Sequence, residues 1–513
     1  MEQVKQKNLI DWPITLVSVG AVFVFVAFMA IKPEATLQVV GVIFNYTTAI
    51  IGVPVLWFVF LGLFVCLYLA FSKYGSIKLG EGAPQFSLYS YIAMMICAAL
   101  ACTAVYYSFV EWSFYYSEPA FGIAPYSVKA AEYSTAYTFF HWGISVQVIF
   151  VLTAVAMAYA VYVKKVPVLR VSAVCEAMMG DFKYKKPIGK VIDVITIFSI
   201  TGGLGVSLGL GVPLISAGIS DITGIPQGFG LNVAIVLAIS ALFSLSSVIG
   251  IEKGMRRLSD GTIYLAIALI AIIFIAGPSG FIVKNISNSL GIMFSNYIKM
   301  STWTDPIGQS GFPEANTIFL FTLALNYAAM MGVFITKISK GRTIRELVLA
   351  CLLGISVGTW IMFAVNGGYG LNLELTGQVL LTQAESTQAG IFQILHTLPG
   401  GVLMPIAFTI LMVGFLATSL DSAAFSLSAV ASRQLDENGN THPMFRLFWC
   451  VMLAAVPLSI MFSNAPFSAL KTICIFLSVP FLVIIIGMNI GLFKWLKESD
   501  QVVKASDKRT GTL

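Results

Sequence analysis

The sequence predicts an all-α integral membrane protein of twelve transmembrane helices, and three observations carry the prediction. First, 58% of its 513 residues are hydrophobic and 11% are charged, with a mean hydropathy of +0.88. A water-soluble domain carries about 25% charged residues, so lipid is the main solvent of this chain. Second, the apolar residues gather into runs of the ~20 residues that a helix needs to cross a bilayer. Third, lysines and arginines concentrate in every second connection between those runs, the pattern of the positive-inside rule.

Taken in order, the predicted spans are 14–31, 51–71, 89–110, 136–162, 191–215, 232–250, 261–283, 315–336, 344–364, 398–424, 445–463 and 468–492. The first is too long for the apolar core of a signal peptide and has no convincing cleavage site, so it reads as a mature span. Lys5 and Lys7 precede it, and Lys73 and Lys78 follow span two. Seven basic residues from Lys164 to Lys190 follow span four, and Lys253, Arg256 and Arg257 follow span six. Lys337 to Arg345, then Arg433 and Arg446, then Lys494 to Arg509 complete the series. Loops 216–231 and 365–397 contain no lysine or arginine. Both termini are therefore expected in the cytoplasm, with the chain in the inner (plasma) membrane of the cell. Residues 284–312 have helical apolar spacing broken by Ser, Asn and Lys, which predicts a helix lying along the outer surface. Residues 365–397 are rich in Gly and Gln and are expected to cap an external vestibule. A short tail, 493–513, ends the chain.

The same reading excludes several function classes. The net charge of +6 sits in the loops and speaks for membrane topology, not for nucleic acid. Seven cysteines (Cys66, Cys97, Cys102, Cys175, Cys351, Cys450, Cys474) lie mostly inside apolar runs without paired or metal-like spacing, and read as small buried hydrophobes. His141, His396 and His442 are too scattered for a metal cluster. There is no phosphate loop, nucleophile elbow, metal box or dinucleotide fingerprint, so neither an enzyme nor a bound cofactor is expected. A transporter, a channel or a membrane protein of another role remains.

Polar and small residues inside the spans mark where chemistry can reside. In span eight, Phe319, Leu323, Tyr327 and Met330/Met331 recur three or four residues apart and share one face, either as helix packing or as a binding stripe. In span three, Tyr106 and Tyr107 lie deep and read as packing or as a binding wall. Trp112, Tyr115 and Tyr116 fit an interfacial belt, and Glu111 is expected near the outer interface in a structural or gating pair. Span four opens with Trp142, Gly143 and Gln147, unusual company in a membrane helix. Span five holds Gly203, Gly205, Gly209 and Gly211, a density that serves either tight packing or a flexible, unwound segment. Span ten places Thr418, Ser419, Asp421 and Ser422 in a row. Their oxygens are hard ligands suited to an alkali cation, or they bond back to their own helix. Interrupted helices matched in two halves favour a secondary transporter.

The sequence resembles the betaine/choline/carnitine transporter family over about residues 14–492, and looks most like the carnitine/γ-butyrobetaine exchangers within it. The resemblance rests on TDPIGQSGFP (304–313), ISKGRTIREL (338–347), SLGLG (207–211), FHWGIS (140–145) and ATSLDSA (417–423). It implies a LeuT-like fold with two extra helices (14–71), a first five-helix repeat (89–283) and an inverted second repeat (315–492). It also implies a homotrimer and a central site between spans three, four and eight, where an aromatic box holds a methylated ammonium through ring quadrupoles. By that resemblance Trp142 is a box tryptophan and Phe114 stands where the exchangers have a tyrosine. Leu323 and Ala324 replace a tryptophan pair, Tyr327 is a third aromatic position, and Met331 is kept. Phe319, Phe321, Tyr106 and Tyr107 are the rings available to substitute. Thr418 and Ser419 match a sodium site, while Thr262 stands where sodium-independent exchangers place an arginine; Ile200 and Leu204 make a second sodium site poor. The resemblance thus implies one Na⁺ carried with a betaine-, carnitine- or choline-type zwitterion. The alternative is a sodium-independent precursor/product antiporter, with a channel more remote. The short tail points to nutrient uptake and away from osmotic gating.

Overall fold

The computed structural model describes residues 10–99, 102–249, 251–433, 441–462 and 468–510. Lys5, Lys7, and Leu100 and Ala101 of span three lie outside the described residues, as do the side chains of Cys97, Lys253, Arg256, Arg257, Lys504, Lys508 and Arg509. The described chain is helical throughout. In order the helices are α1 (Trp12–Ile31), α2 (Pro33–Phe71), α3 (Leu88–Ala99), α4 (Cys102–Ser117), α5 (Val128–Trp142) and α6 (Ile144–Tyr162). Then come α7 (Val171–Met178), α8 (Lys185–Thr223), α9 (Phe229–Ile249), α10 (Ile251–Ala276), α11 (Ser279–Thr302) and α12 (Phe319–Ile338). The last are α13 (Ile344–Leu349), α14 (Ser356–Leu375), α15 (Thr387–His396), α16 (Leu403–Val430), α17 (Pro443–Phe462) and α18 (Ser468–Thr510).

Each predicted span falls on a helix. By length and apolarity, seven helices among the described residues can cross a membrane, or eight if one bent pair counts as a span. That pair is α10 and α11, which meet at 105°. Gly277 and Pro278 make the corner, since proline cannot donate the amide bond that continued helix would need. Residues 279–283, expected at the end of span seven, therefore belong to the following helix α11. The outer-surface helix expected at 284–312 is found as α11 and ends at Thr302. Residues 493–510, expected as a tail, continue α18.

Breaks in the remaining helices position the site. A 35-residue apolar stretch, Val128–Tyr162, is cut into α5 and α6 at Gly143. A π-helical turn, Pro313–Ile318, leads into α12, and another, Ala350–Ile355, joins α13 to α14. The glycine-rich stretch of span five, by contrast, is unbroken helix within α8.

Two of the most specific sequence motifs are structural locks. In 338–347, Thr343 and Glu346 form a reciprocal capping box that starts α13. Leu79 and Gly341 exchange backbone bonds with that turn: Leu79 N–H to Arg342 O, and Gly341 N–H to Leu79 O, each 2.7 Å. Gly341 has φ +82°, and a Cβ there would fall 2.8 Å from the Ala83 backbone, so glycine is required twice over. Arg342 donates to Phe86 O at 2.6 Å and lies over the Tyr91 ring. In 304–313, the Asp305 carboxylate accepts from the Gly308 and Ser310 amides and from the Ser310 hydroxyl, the last at 2.6 Å. The Ser310 hydroxyl, then these amides, hold Asp305 below the ordinary carboxylate range although it is exposed.

Candidate functional site

The helix break at Gly143 sets the geometry of the site. A Cβ at Gly143 would lie 2.3 Å from Trp360 Nε1 and 2.5 Å from Phe139 O, so only glycine allows α14 to approach. Phe139 O accepts from Gly143 N–H at 3.0 Å, and α14 adds further donors at the break. Trp360 Nε1–H donates to Phe139 O (2.8 Å) and Thr359 to Trp142 O (2.9 Å). Trp142, the last residue of α5, is thereby presented at the break, stacked on Phe363 with centroids 5.1 Å apart. Tyr107 lies 5.8 Å away on a tilted plane.

Trp142 borders a cavity of about 1110 Å³. Leu323, Ala324, Tyr327 and Met331 of α12 line it, as do Thr418 and Ser419 of α16 and Thr262 of α10. Leu320 and Lys337 both border it, so along α12 it extends ~26 Å at 1.5 Å per residue. Lys337, Asp260, Asp421 and Arg446 surround the end where α12 finishes and α3, α10 and α17 begin. Along α12 the cavity therefore runs from Leu320 at the start of the helix to Lys337 at its end.

The structure brings many of the residues singled out in the sequence into this wall: Trp142 and Gln147; Leu323, Ala324, Tyr327, Met330 and Met331; Thr418, Ser419, Asp421 and Ser422; and Thr262. The other aromatic candidates stand behind it. Tyr106 bonds Thr387 at 2.7 Å, tying α4 to α15. Tyr107 packs its edge on Tyr106 and Phe114. Phe319 is buried, with Lys471 Nζ 4.6 Å from its ring centre. Gly203 lets α8 touch α12: a Cβ there would lie 3.2 Å from Asn326 and Tyr327. Tyr327 then donates to Gly203 O (3.1 Å) and shares a 2.6 Å bond with Ser207, which also contacts Thr103 at 2.5 Å. Gly205, Gly209 and Gly211 lie in the same unbroken helix, with Cys102 Sγ 2.5 Å from where a Gly211 Cβ would stand. Ile200 and Leu204 are buried apolar residues on α8.

Thr418 bonds back to Phe415 O at 3.0 Å, and Ser419 borders the cavity beside it. Opposite them stand Ala98, Ala99, Thr103 and Ala104, which flank the junction of α3 and α4. Thr262 lies against α16, with its Oγ1 2.3 Å from where a Gly414 Cβ would be.

Sequence reasoning expected Glu111 in a structural or gating pair; the structure buries it within the protein, at 0% exposure. Trp142 Nε1–H donates to its Oε2 at 2.5 Å, and the Tyr115 hydroxyl donates to its Oε1. His141 Nδ1 stands 2.8 Å from the Tyr115 oxygen and 3.3 Å from Oε1. His141 Nε2 stands 2.9 Å from Thr317 of the π-turn. Every group is matched when the histidine proton is on Nδ1: Thr317 donates to His141, His141 to Tyr115, and Tyr115 to Glu111. Tyr115, assigned to an interfacial belt by sequence, is 1% exposed, and Trp112 is equally buried. The cost of burying a carboxylate among apolar residues was the available signal, with Tyr115 four residues on; the partners Trp142 and His141, thirty and more residues away, were not.

A profile of the family described as "BCCT, betaine/carnitine/choline family transporter" matches residues 13–501. The chain is 39% identical over 500 residues to a carnitine transporter of Acinetobacter baumannii, covering 97% of this chain and 90% of that protein. It is 36% identical over 443 residues to the uncharacterized transporter YeaV of Escherichia coli, covering 86% and 92%. Among solved structures it is similar to a Na⁺-coupled sialic acid symporter in a substrate-bound outward-open state. That similarity has a TM-score of 0.43 at 13% identity, over 81% of this chain and 80% of that one. On the extent of the profile match and the identity to these relatives, the chain belongs to the betaine/carnitine/choline family of transporters.

Proposed function

We propose that this protein is a sodium-coupled symporter of a betaine-, carnitine- or choline-type quaternary ammonium compound or a related small zwitterion, working by alternating access. Members of its family are transporters and not enzymes, and a multi-pass membrane chain with a small-molecule substrate follows from membership. The observation that carries the finer reading is the cavity and what lines it. It begins at Trp142 and Tyr327, rings able to hold a methylated ammonium by their quadrupoles, and it has Thr418 and Ser419 in its wall. Twelve spans, with inverted repeats at 89–283 and 315–492 after two extra helices, fit the irregularities at Gly143 and at Ala350–Ile355, each in the second helix of its repeat. A homotrimer in the inner membrane with cytoplasmic termini completes the reading.

Sodium is supported by the donor set. Thr418 and Ser419 share the cavity lining with Thr103 and Ala104 of α4, and the position at which sodium-independent relatives would place an arginine is Thr262, a neutral side chain against α16. Phe114, Phe319, Tyr106 and Tyr107 support the box from behind, and the glycines of α8 serve its movement against α12. A zwitterion entering with one Na⁺ carries one charge, worth ~2.3 kcal/mol per 100 mV, or about fifty-fold accumulation. The test is uptake of labelled glycine betaine, carnitine, γ-butyrobetaine and choline into proteoliposomes, with a Na⁺ gradient and with K⁺ in its place. Sodium-dependent uptake of one compound, weakened in Thr418→Val, is expected. Met331 in the cavity wall favours a second reading, precursor/product exchange. Uptake indifferent to sodium and accelerated by internal substrate would establish exchange instead.

A further inference from the structure

The buried network behind Trp142 has no task in the transport cycle as described. Glu111 is not in the cavity wall, yet it is an ionisable group wholly buried on α4, a position that ordinarily marks function. Its acceptor sites are taken by Trp142 Nε1–H and the Tyr115 hydroxyl, with His141 beyond. We propose that Glu111 is a positioning residue that sets the charge preference of the binding site, acting through the Trp142 indole. This rests on reading the cavity as a quaternary ammonium site.

The argument has two parts. Donation from the indole N–H to a carboxylate fixes the ring plane and draws electron density toward the ring face, which strengthens its hold on a cation. The carboxylate also adds its own field. Leu323 and Ala324 give the neighbouring wall methyl contacts but no quadrupole, so recognition of charge falls on Trp142 and Tyr327, and of these two rings Trp142 is the one that donates to a carboxylate. Charged and titratable groups facing Glu111 are Tyr107 and Tyr115 on its own helix, His141 on α5, and Lys471 on α18. Lys471 opposes the effect. Unit charges ~8 Å apart at an effective dielectric of about 20 alter affinity roughly thirtyfold; with Lys471 opposing, about tenfold is expected.

The test is competition binding on the purified full-length protein. The probes are choline and glycine betaine, each paired with the carbon isostere in which a quaternary carbon replaces the ammonium nitrogen. In Glu111→Gln the ammonium compounds should bind about tenfold more weakly while the isosteres bind as before, so the ammonium-to-isostere ratio collapses. Glu111→Asp keeps the charge and should retain most of the ratio. Lys471→Met should move the ratio the opposite way, upward, and keeps the proposal testable if Glu111→Gln does not fold. Equal weakening of both members of each pair, or an unchanged ratio in Glu111→Gln and Lys471→Met, would overturn the proposal and leave the transport reading standing. A wild-type protein that binds none of the ammonium probes would overturn the transport reading and, with it, this proposal.

Discussion

Substituting alanine at Gly143 tests whether the helix break holds Trp142 in place. The added Cβ would stand 2.3 Å from Trp360 Nε1, 2.7 Å from Trp360 Cε2 and 2.5 Å from Phe139 O, so backbone or indole has to move. Trp360 has little freedom to yield, because it donates to Phe139 O at 2.8 Å and packs on Phe139 and Phe294. Overpacking of this kind costs ~1–3 kcal/mol, and breaking the indole-to-carbonyl bond adds ~1–2 kcal/mol. A loss of roughly 2–5 kcal/mol follows by addition of those two ranges. Trp142 shifts with its neighbour, so substrate affinity falls as well. Thermal unfolding of the purified protein and substrate binding are the measurements. Gly20→Ala, where nothing lies within 4 Å, is the control and should be neutral or slightly stabilising. Gly143→Ala combined with Trp360→Phe should recover part of the loss, since Nε1 is gone. Gly143→Ala with wild-type unfolding and wild-type affinity would refute the reasoning.

Three further outcomes are expected. Trp142→Ala should raise the apparent KM for the transported ammonium compound at least about tenfold, in line with the loss of a ring and its polarised N–H; near-normal KM would remove Trp142 from the box. Asn326→Leu strips partners from the Ser199 hydroxyl and Cys474 O, both bonded at 2.7 Å, and should destabilise the α8–α12–α18 junction by ~2–4 kcal/mol, read by thermal unfolding. Asp305 has a carboxyl held below the ordinary value. Its contribution to ordering 304–313 is therefore complete above about pH 3.9 and is lost as pH falls through the lowered folded value. Amide hydrogen exchange at Gly308 and Ser310 should accelerate across that acid window, and Asp305→Asn should abolish the pH dependence; an unaltered profile in the variant would rule the loop lock out.

Much of the fold is legible in the chain because the bilayer imposes a simple rule. A backbone in lipid has to bond within itself, so long apolar runs become helices, and helices lie where each predicted span falls. The wall of the cavity was legible in part for the same reason. Trp142 and Tyr327 stand out as rings beside small residues, and Thr418 and Ser419 as hydroxyls where lipid tolerates none. The motifs misled in one respect. TDPIGQSGFP and ISKGRTIREL are the most distinctive strings, yet they form a turn lock and a capped clamp and stand outside the cavity wall. Distinctiveness reflects turn chemistry as readily as ligand contact.

What the sequence by itself determined is the class of molecule, its helical segments and the faces that carry polar groups, because these follow from local composition and periodicity. What only the tertiary structure decided is which of those groups meet. The break at Gly143 exists because Trp360, more than two hundred residues later, approaches it and supplies a donor to Phe139 O. Glu111 is buried behind Trp142 because α4, α5 and the turn before α12 converge there. Periodicity gives each helix a face, but not the partner that face will find. That choice is made by packing between segments far apart in the chain, through approach distances and donor–acceptor pairing.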